Sequence, residues 1–285
     1  MNQITLLVVD DHPLFRQGVV DALSLESDMR IIAQSASGDE ALGRVLAESQ
    51  KSVAVMRIFR DPSQLNAVTL DLPFPAMRQS LDAMGITSFE SDRDAIIRSL
   101  QAYDFFGEQV YYNWAFELAR LQIGAGPPSD IGSTGLIFNG QAVPLQRGNL
   151  LVNLAGPAGT FPTYSATAVL EGDVLAQNPN AFRGKIVLVG LTSITLKDLF
   201  PTPFSAQELT PGVEIVANAV DMILRGDYLR ESPPWVGLLA ILVAAVLSAI
   251  IGRSQRPSLT LIFLGLAMGL YALIGYLTFR QARLF

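Results

Sequence analysis

The sequence predicts an α/β soluble region followed by a two-helix transmembrane hairpin. Three observations carry that expectation. Short apolar runs alternate with helix-spaced stretches between residues 52 and 230, as in α/β domains. Two long uncharged stretches lie near the end of the chain. Only 16% of the residues are charged, against about 25% in ordinary globular domains. The mean hydropathy of +0.35 fits a chain of which part meets lipid.

In chain order, Ile4 to Val9 reads as an apolar strand delivering two adjacent carboxylates, Asp10 and Asp11, to its end. In a doubly wound fold that edge is where ligands bind. Paired carboxylates suit Mg²⁺, which prefers oxygen ligands and keeps several waters. Pro13 then opens a helix with an apolar face at Leu14, Val19 and Leu23. Ser52 to Phe59 reads as a strand, and Pro75 to Gly85 as a short helix bearing Met77, Leu81 and Met84 and stopped by Gly85. Asn113 to Leu121 sets Trp114, Leu118 and Leu121 on one helical face. Leu150 to Leu154 and Ile186 to Val189 read as further strands, the first followed by a Gly- and Pro-rich loop, the second entered from Arg183-Gly184-Lys185. Val213 to Leu224 has helical spacing and ends at Arg225-Gly226.

The stretches Trp235–Gly252 and Leu259–Phe279 hold no charge over 18 and 21 residues. A hydrocarbon core of about 30 Å needs roughly 20 apolar residues of helix, so both are long enough, the first only just. The alternative is a pair of buried core helices, which would normally keep a polar stripe. The link Arg253 to Ser258 is short enough to force an antiparallel hairpin. Arginines flank both spans as well as the link, so the positive-inside rule does not fix the orientation. Gly265 and Gly269 form a GxxxG pair suited to close helix approach, and hence to a homodimer.

Composition excludes several chemistries. With no cysteine and a single histidine, His12, thiolate nucleophiles, disulfides and zinc clusters are not expected. A net charge of -6 gives no reason to expect nucleic acid as a partner. Gly124-Ala125-Gly126 lacks a third glycine and runs into Pro127-Pro128, which rules against a dinucleotide site. No secretory signal is visible at the N-terminus.

Two family resemblances follow from these residues. The run from Phe182 to Ser205, then Pro211-Gly212-Val213-Glu214 leading to Ala217-Asn218, then membrane helices, is similar to the CHASE-type sensor domain of the second subtype. Upstream, Ala83-Met84-Gly85 followed by Asp92, Asp94 and Arg98 resembles the same family. Residues 4 to 56 instead resemble the first half of a receiver domain from LuxR/NarL-type response regulators. In that resemblance Arg57 follows the strand whose end should carry the phosphoacceptor aspartate, and arginine cannot accept a phosphoryl group. The expected domains are therefore a truncated receiver-like segment at 1–56, a sensor domain at 52–230 lacking its beginning, and membrane helices at 235–252 and 259–279.

What the resemblance implies is a non-catalytic, membrane-anchored bacterial sensor in the inner membrane, with an extracytoplasmic domain that binds a small molecule. No cofactor is expected beyond Mg²⁺ at Asp10 and Asp11. The expected ligand loop holds Thr192, Ser193, Lys197 and Asp198, with Glu214 beside it. Asp198 has a bland alternative role, bracing the loop ahead of Thr202-Pro203. Two other functions compete: a degenerate phosphorelay receiver, and an α/β enzyme using Asp198 and Glu214 as an acid–base pair.

Overall fold

The computed structural model describes residues 4–9, 17, 29–35, 38–49, 51–61, 67–192, 198–205, 208–230, 234–252, 265–269, 271–273 and 275–276. Near the N-terminus, β1 (Ile4–Val9) pairs in parallel with β2 (Met29–Ser35), and α1 (Gly38–Ser49) follows. The strand expected at Ile4 to Val9 is therefore present. Asp10 and Asp11 lie outside the described residues, as does the helix expected at Pro13 apart from Gln17, which is helical.

A mixed sheet comes next, in the order β4 (Ala67–Asp71), β3 (Val53–Asp61), β5 (Ala83–Ile86). β3 runs parallel to β5 and antiparallel to β4. The helix expected over Pro75 to Gly85 is corrected here: α2 covers only Pro75–Arg78, and Ala83, Met84 and Gly85 belong to β5. The parallel ladder with Val53–Met56 outweighs the local helical spacing. The turn before it is held by the Asp82 carboxylate, which accepts from the Ser52 N–H at 2.7 Å.

The core lies between two helices and three small antiparallel sheets. β6 (Phe89–Ser91), β7 (Ile97–Gln101) and β13 (Asn149–Leu151) form one sheet, β8 (Tyr103–Phe106) and β9 (Gln109–Tyr112) a hairpin, and β10 (Ser129–Gly132), β11 (Gly135–Phe138) and β12 (Gln141–Pro144) a meander. The helices are α3 (Trp114–Ile123) and α6 (Gly212–Arg225). Asn113 starts α3, its Oδ1 accepting from the Ala115 N–H at 3.0 Å, and Gly124 ends it at φ 68°, a conformation glycine adopts without penalty. Fully buried Ala115 and Ala119 of α3 and Ala219 of α6 give the two helices small contact surfaces. Phe116 packs edge-on against Phe138 with ring centroids 5.5 Å apart, joining α3 to the meander. Arg60 clasps Asp104 through two hydrogen bonds, tying β3 to β8. Burial raises the Asp104 pKa, but the Arg60 guanidinium and the Phe105 N–H outweigh it and hold the carboxyl below its ordinary value.

Between these parts, α4 (Ala166–Leu170) and α5 (Asp173–Gln177) are short, and β14 (Leu199–Phe200) pairs with β15 (Thr210–Pro211) just before α6. The strand expected at Ile186 to Val189 is not formed. Among the described residues the segment takes no ladder partner, and Val189 is 86% exposed. An apolar run becomes a strand only where another strand offers it a ladder.

At the C-terminal end, α7 (Pro234–Gly252) is a 19-residue uncharged helix. Among the described residues no helix is long and apolar enough to cross a membrane, so the hairpin expected at 235–279 is not shown. Gly265 and Gly269 fall in described helical residues and are exposed, and a Cβ added at either would meet nothing within 4 Å.

Candidate functional site: the N-terminus of helix α6

The residues singled out near 190–214 converge only in part. Ser193 and Lys197 lie outside the described residues, and Thr192 is exposed. Asp198 and Glu214 both reach the first turn of α6, by different routes. The Asp198 carbonyl accepts from the Gly212 N–H at 3.0 Å, and its carboxylate lies so close to Gly212 that a Cβ there would stand 2.8 Å from Oδ1. Any larger residue at 212 would displace that carboxylate.

Asp198 takes no side-chain hydrogen bond among the described residues. Burial pushes its pKa up, and the Arg57 guanidinium, acting through its charge, pulls it partly back. Arg57 projects from β3, where its Cα partner is Asp71 of β4. The residue that marks the departure from a receiver pattern thus sits within electrostatic range of the candidate site.

Glu214 is used differently. It is buried, and its carboxylate accepts from the Gly159 N–H at 3.0 Å and the Phe161 N–H at 3.4 Å. One turn later, Asn218 is buried too, its Oδ1 accepting from the Ala155 N–H at 2.7 Å and its Nδ2 donating to the Glu214 carbonyl at 2.8 Å. The Gly- and Pro-rich loop after β13 is therefore clamped to α6 by two side chains four residues apart. Both oxygens of Glu214 thus accept backbone N–H groups of that loop. Sequence reasoning named Asn218 only as part of the run to Ala217-Asn218; its signal was a buried amide one helical turn from a buried carboxylate.

Two further features border the site. Thr202 and Thr210 are buried with Oγ1 atoms 3.1 Å apart, and Thr202 Oγ1 also lies 3.1 Å from Ser205 Oγ, which knots the segment between β14 and β15. Arg98 donates to Asp92 at 2.5 Å and to Asp94 at 2.8 and 3.0 Å. Its neighbour Ile97 donates through its N–H to the Pro201 carbonyl at 2.8 Å. The acidic turn ahead of Arg98 is thus an ion-pair cluster packed beside the 198–205 segment. Among the described residues no group of three or more His, Asp and Glu is placed to hold a metal ion.

Comparison with known proteins agrees with part of this picture. Response regulator protein VraR of Staphylococcus aureus, from strains Mu3 / ATCC 700698 and MSSA476, is 29% identical over 102 residues, 35% of this chain and 46% of theirs. The chain spans about half the length of these curated relatives. No solved structure matches. The CHASE2 domain model matches residues 10–251, a range that includes the junction expected near residue 52 and ends inside α7. Since that match takes in both core helices, the clamped loop and the Asp198 segment, the chain belongs to the CHASE2 domain family of signal-transduction sensors.

Proposed function

We propose that this sensor is non-catalytic, anchored in a bilayer, and responsive to a small polar ligand that meets Asp198 at the N-terminus of α6. The observation that supports the ligand site is the Asp198 carboxylate: partly buried, without a hydrogen bond among the described residues, and faced by the charge of Arg57. A buried polar group without a partner costs stability, and a ligand N–H or O–H would remove that cost. Anchoring is supported by α7, whose 19 uncharged residues measure about 28 Å and whose Trp235, Leu238 and Ile241 are more than 60% exposed. On this reading the sensor lies outside the inner membrane, with Arg253 and Arg256 on the cytoplasmic side, and the family resemblance supports that orientation.

Asp198→Asn tests the reading. Because burial raises the Asp198 pKa, its ionised form weakens the fold, and that loss is present at neutral pH. Asparagine removes the charge, so the melting temperature should stay level or rise. A loop brace would instead lose about 0.5–2 kcal/mol, as lost caps do. In a thermal-shift screen of polar metabolites, a compound that stabilises the unmodified chain should stabilise Asp198→Asn far less. Equal stabilisation of both removes Asp198 from the site.

The likeness to VraR favours a second reading, a degenerate receiver. Arg57 opposes it, because no carboxylate stands at the acceptor position after Val53–Met56. Intact mass after incubation with a small phosphodonor and Mg²⁺ should show no stoichiometric acid-labile adduct; finding one would restore the phosphorelay reading.

A further inference from the structure

We propose that the ligand of the Asp198 site is a small zwitterion, an amino acid by chemical class, whose ammonium group meets Asp198 and whose carboxylate meets Arg57. The inference rests on the reading of Asp198 given above and adds the other half of the site. The ladder supplies the first charge. The parallel pairing of β3 with β5 ends at Met56 and Ile86, and the Thr87 N–H donates to the Met56 carbonyl at 3.4 Å, so Arg57 and Thr87 stand side by side at its carboxyl end. Open α/β sheets take their ligands at that end of parallel strands. The second charge arrives with β14. Two residues beyond Thr87, the Phe89 ring packs on Phe200 with centroids 4.6 Å apart, and the Ile97 N–H of β7 donates to the Pro201 carbonyl at 2.8 Å. These contacts dock the segment that begins at Asp198 against the strands leading away from the Arg57 edge, and the Arg57 charge acts on Asp198 across the gap.

The two charges do not neutralise each other. Among the described residues Arg57 is exposed and forms no ion pair, either with Asp198 or with Asp71, its Cα partner on β4, whereas Arg60, Arg98, Arg120 and Arg225 each pair with a carboxylate. A guanidinium takes an oxyanion in its fork, and an ionised carboxylate only accepts hydrogen bonds. A simple cation would leave Arg57 unanswered, and a simple anion would be repelled by Asp198. A quaternary ammonium has no N–H to give. A molecule with both an N–H-bearing ammonium and a carboxylate answers both sides.

Thermal shift of the full-length chain with each common α-amino acid tests this. Any that stabilises is compared with the amine left when its carboxyl group is removed and the acid left when its amino group is removed. An amino acid should raise the melting temperature, and both analogues should bind roughly tenfold more weakly. Arg57→Gln, at an exposed position, should weaken the amino acid roughly tenfold and leave the amine unchanged, while Asp198→Asn should weaken both. An amine that binds as tightly as its parent amino acid, together with an Arg57→Gln variant that loses nothing, overturns the zwitterion and leaves Asp198 as the site of a cation. Equal binding to the unmodified and Asp198→Asn chains removes Asp198 and this inference with it. If no amino acid stabilises the chain, the zwitterion is refuted, and the Asp198 reading is then decided by the wider metabolite screen alone.

Discussion

Tyr228 follows the end of α6, where its hydroxyl donates to the Ile223 carbonyl at 3.4 Å and burial pushes its pKa up to about 12. The ordinary tyrosine value is about 10. A group whose folded pKa is raised contributes stability that is whole below its unfolded pKa and lost as pH rises through the folded one. Denaturant midpoints should therefore fall between about pH 10 and about 12, and Tyr228→Phe should flatten that fall. A midpoint curve identical in the two proteins would assign the alkaline loss to other groups. Asp94 behaves in the opposite sense: hydrogen bonds from Arg98 and then from the Ile96 N–H hold its carboxyl down to about 2. Its contribution is present above the ordinary aspartate value and disappears as pH falls through about 2. Asp94 is open to solvent, so salt screens much of it.

At the scale of elements, Gly85 fixes how closely β5 approaches α3. A Cβ on Gly85 would stand 2.7 Å from the backbone N of Trp114 and closer still to its Cα, and neither is the movable end of a side chain. Gly85→Ala should therefore cost about 1–3 kcal/mol in chemical denaturation, as overpacking does. A loss below about 0.5 kcal/mol would mean that the strand shifts freely. The same glycine shows where sequence reading stops. Met77, Leu81 and Met84 have helical spacing, and Gly85 has the look of a helix stop, but pairing with Val53–Met56 is a contact across about 30 residues that periodicity cannot see. Ile186–Val189 failed in the other direction, since β-branched composition supplies no neighbouring strand. Helices α3 and α6 were legible because their apolar faces and the Arg225-Gly226 end of α6 are local signals; the Asn113 cap and the Gly124 end of α3 are local too and went unread. Within the site, the run Pro211 to Asn218 was legible as an ordered motif. That Glu214 is spent on the amides of Gly159 and Phe161 was not, for those partners lie more than 50 residues away in sequence.

For the whole molecule, the decisive contrast lies between the charged body and the C-terminal stretch, where residues 235–285 carry four arginines and no acid. Reporter fusions at Ser254 and at the C-terminus test the proposed anchoring. The Ser254 fusion should report as cytoplasmic and the C-terminal one as extracytoplasmic; an extracytoplasmic Ser254 would place the sensor body in the cytosol. The clamp between α6 and the loop at 155–161 bears on how such a body could move. Glu214 and Asn218 grip that loop one helical turn apart, at two heights on the same side of the helix. Two fixings at different heights on one side of a rod suppress both its sliding and its tilting and leave rolling about the line that joins them as the soft motion. The connection to α7 spans only residues 226–233. A displacement that starts in the loop would then arrive at α7 as a twist, like a turned key rather than a piston.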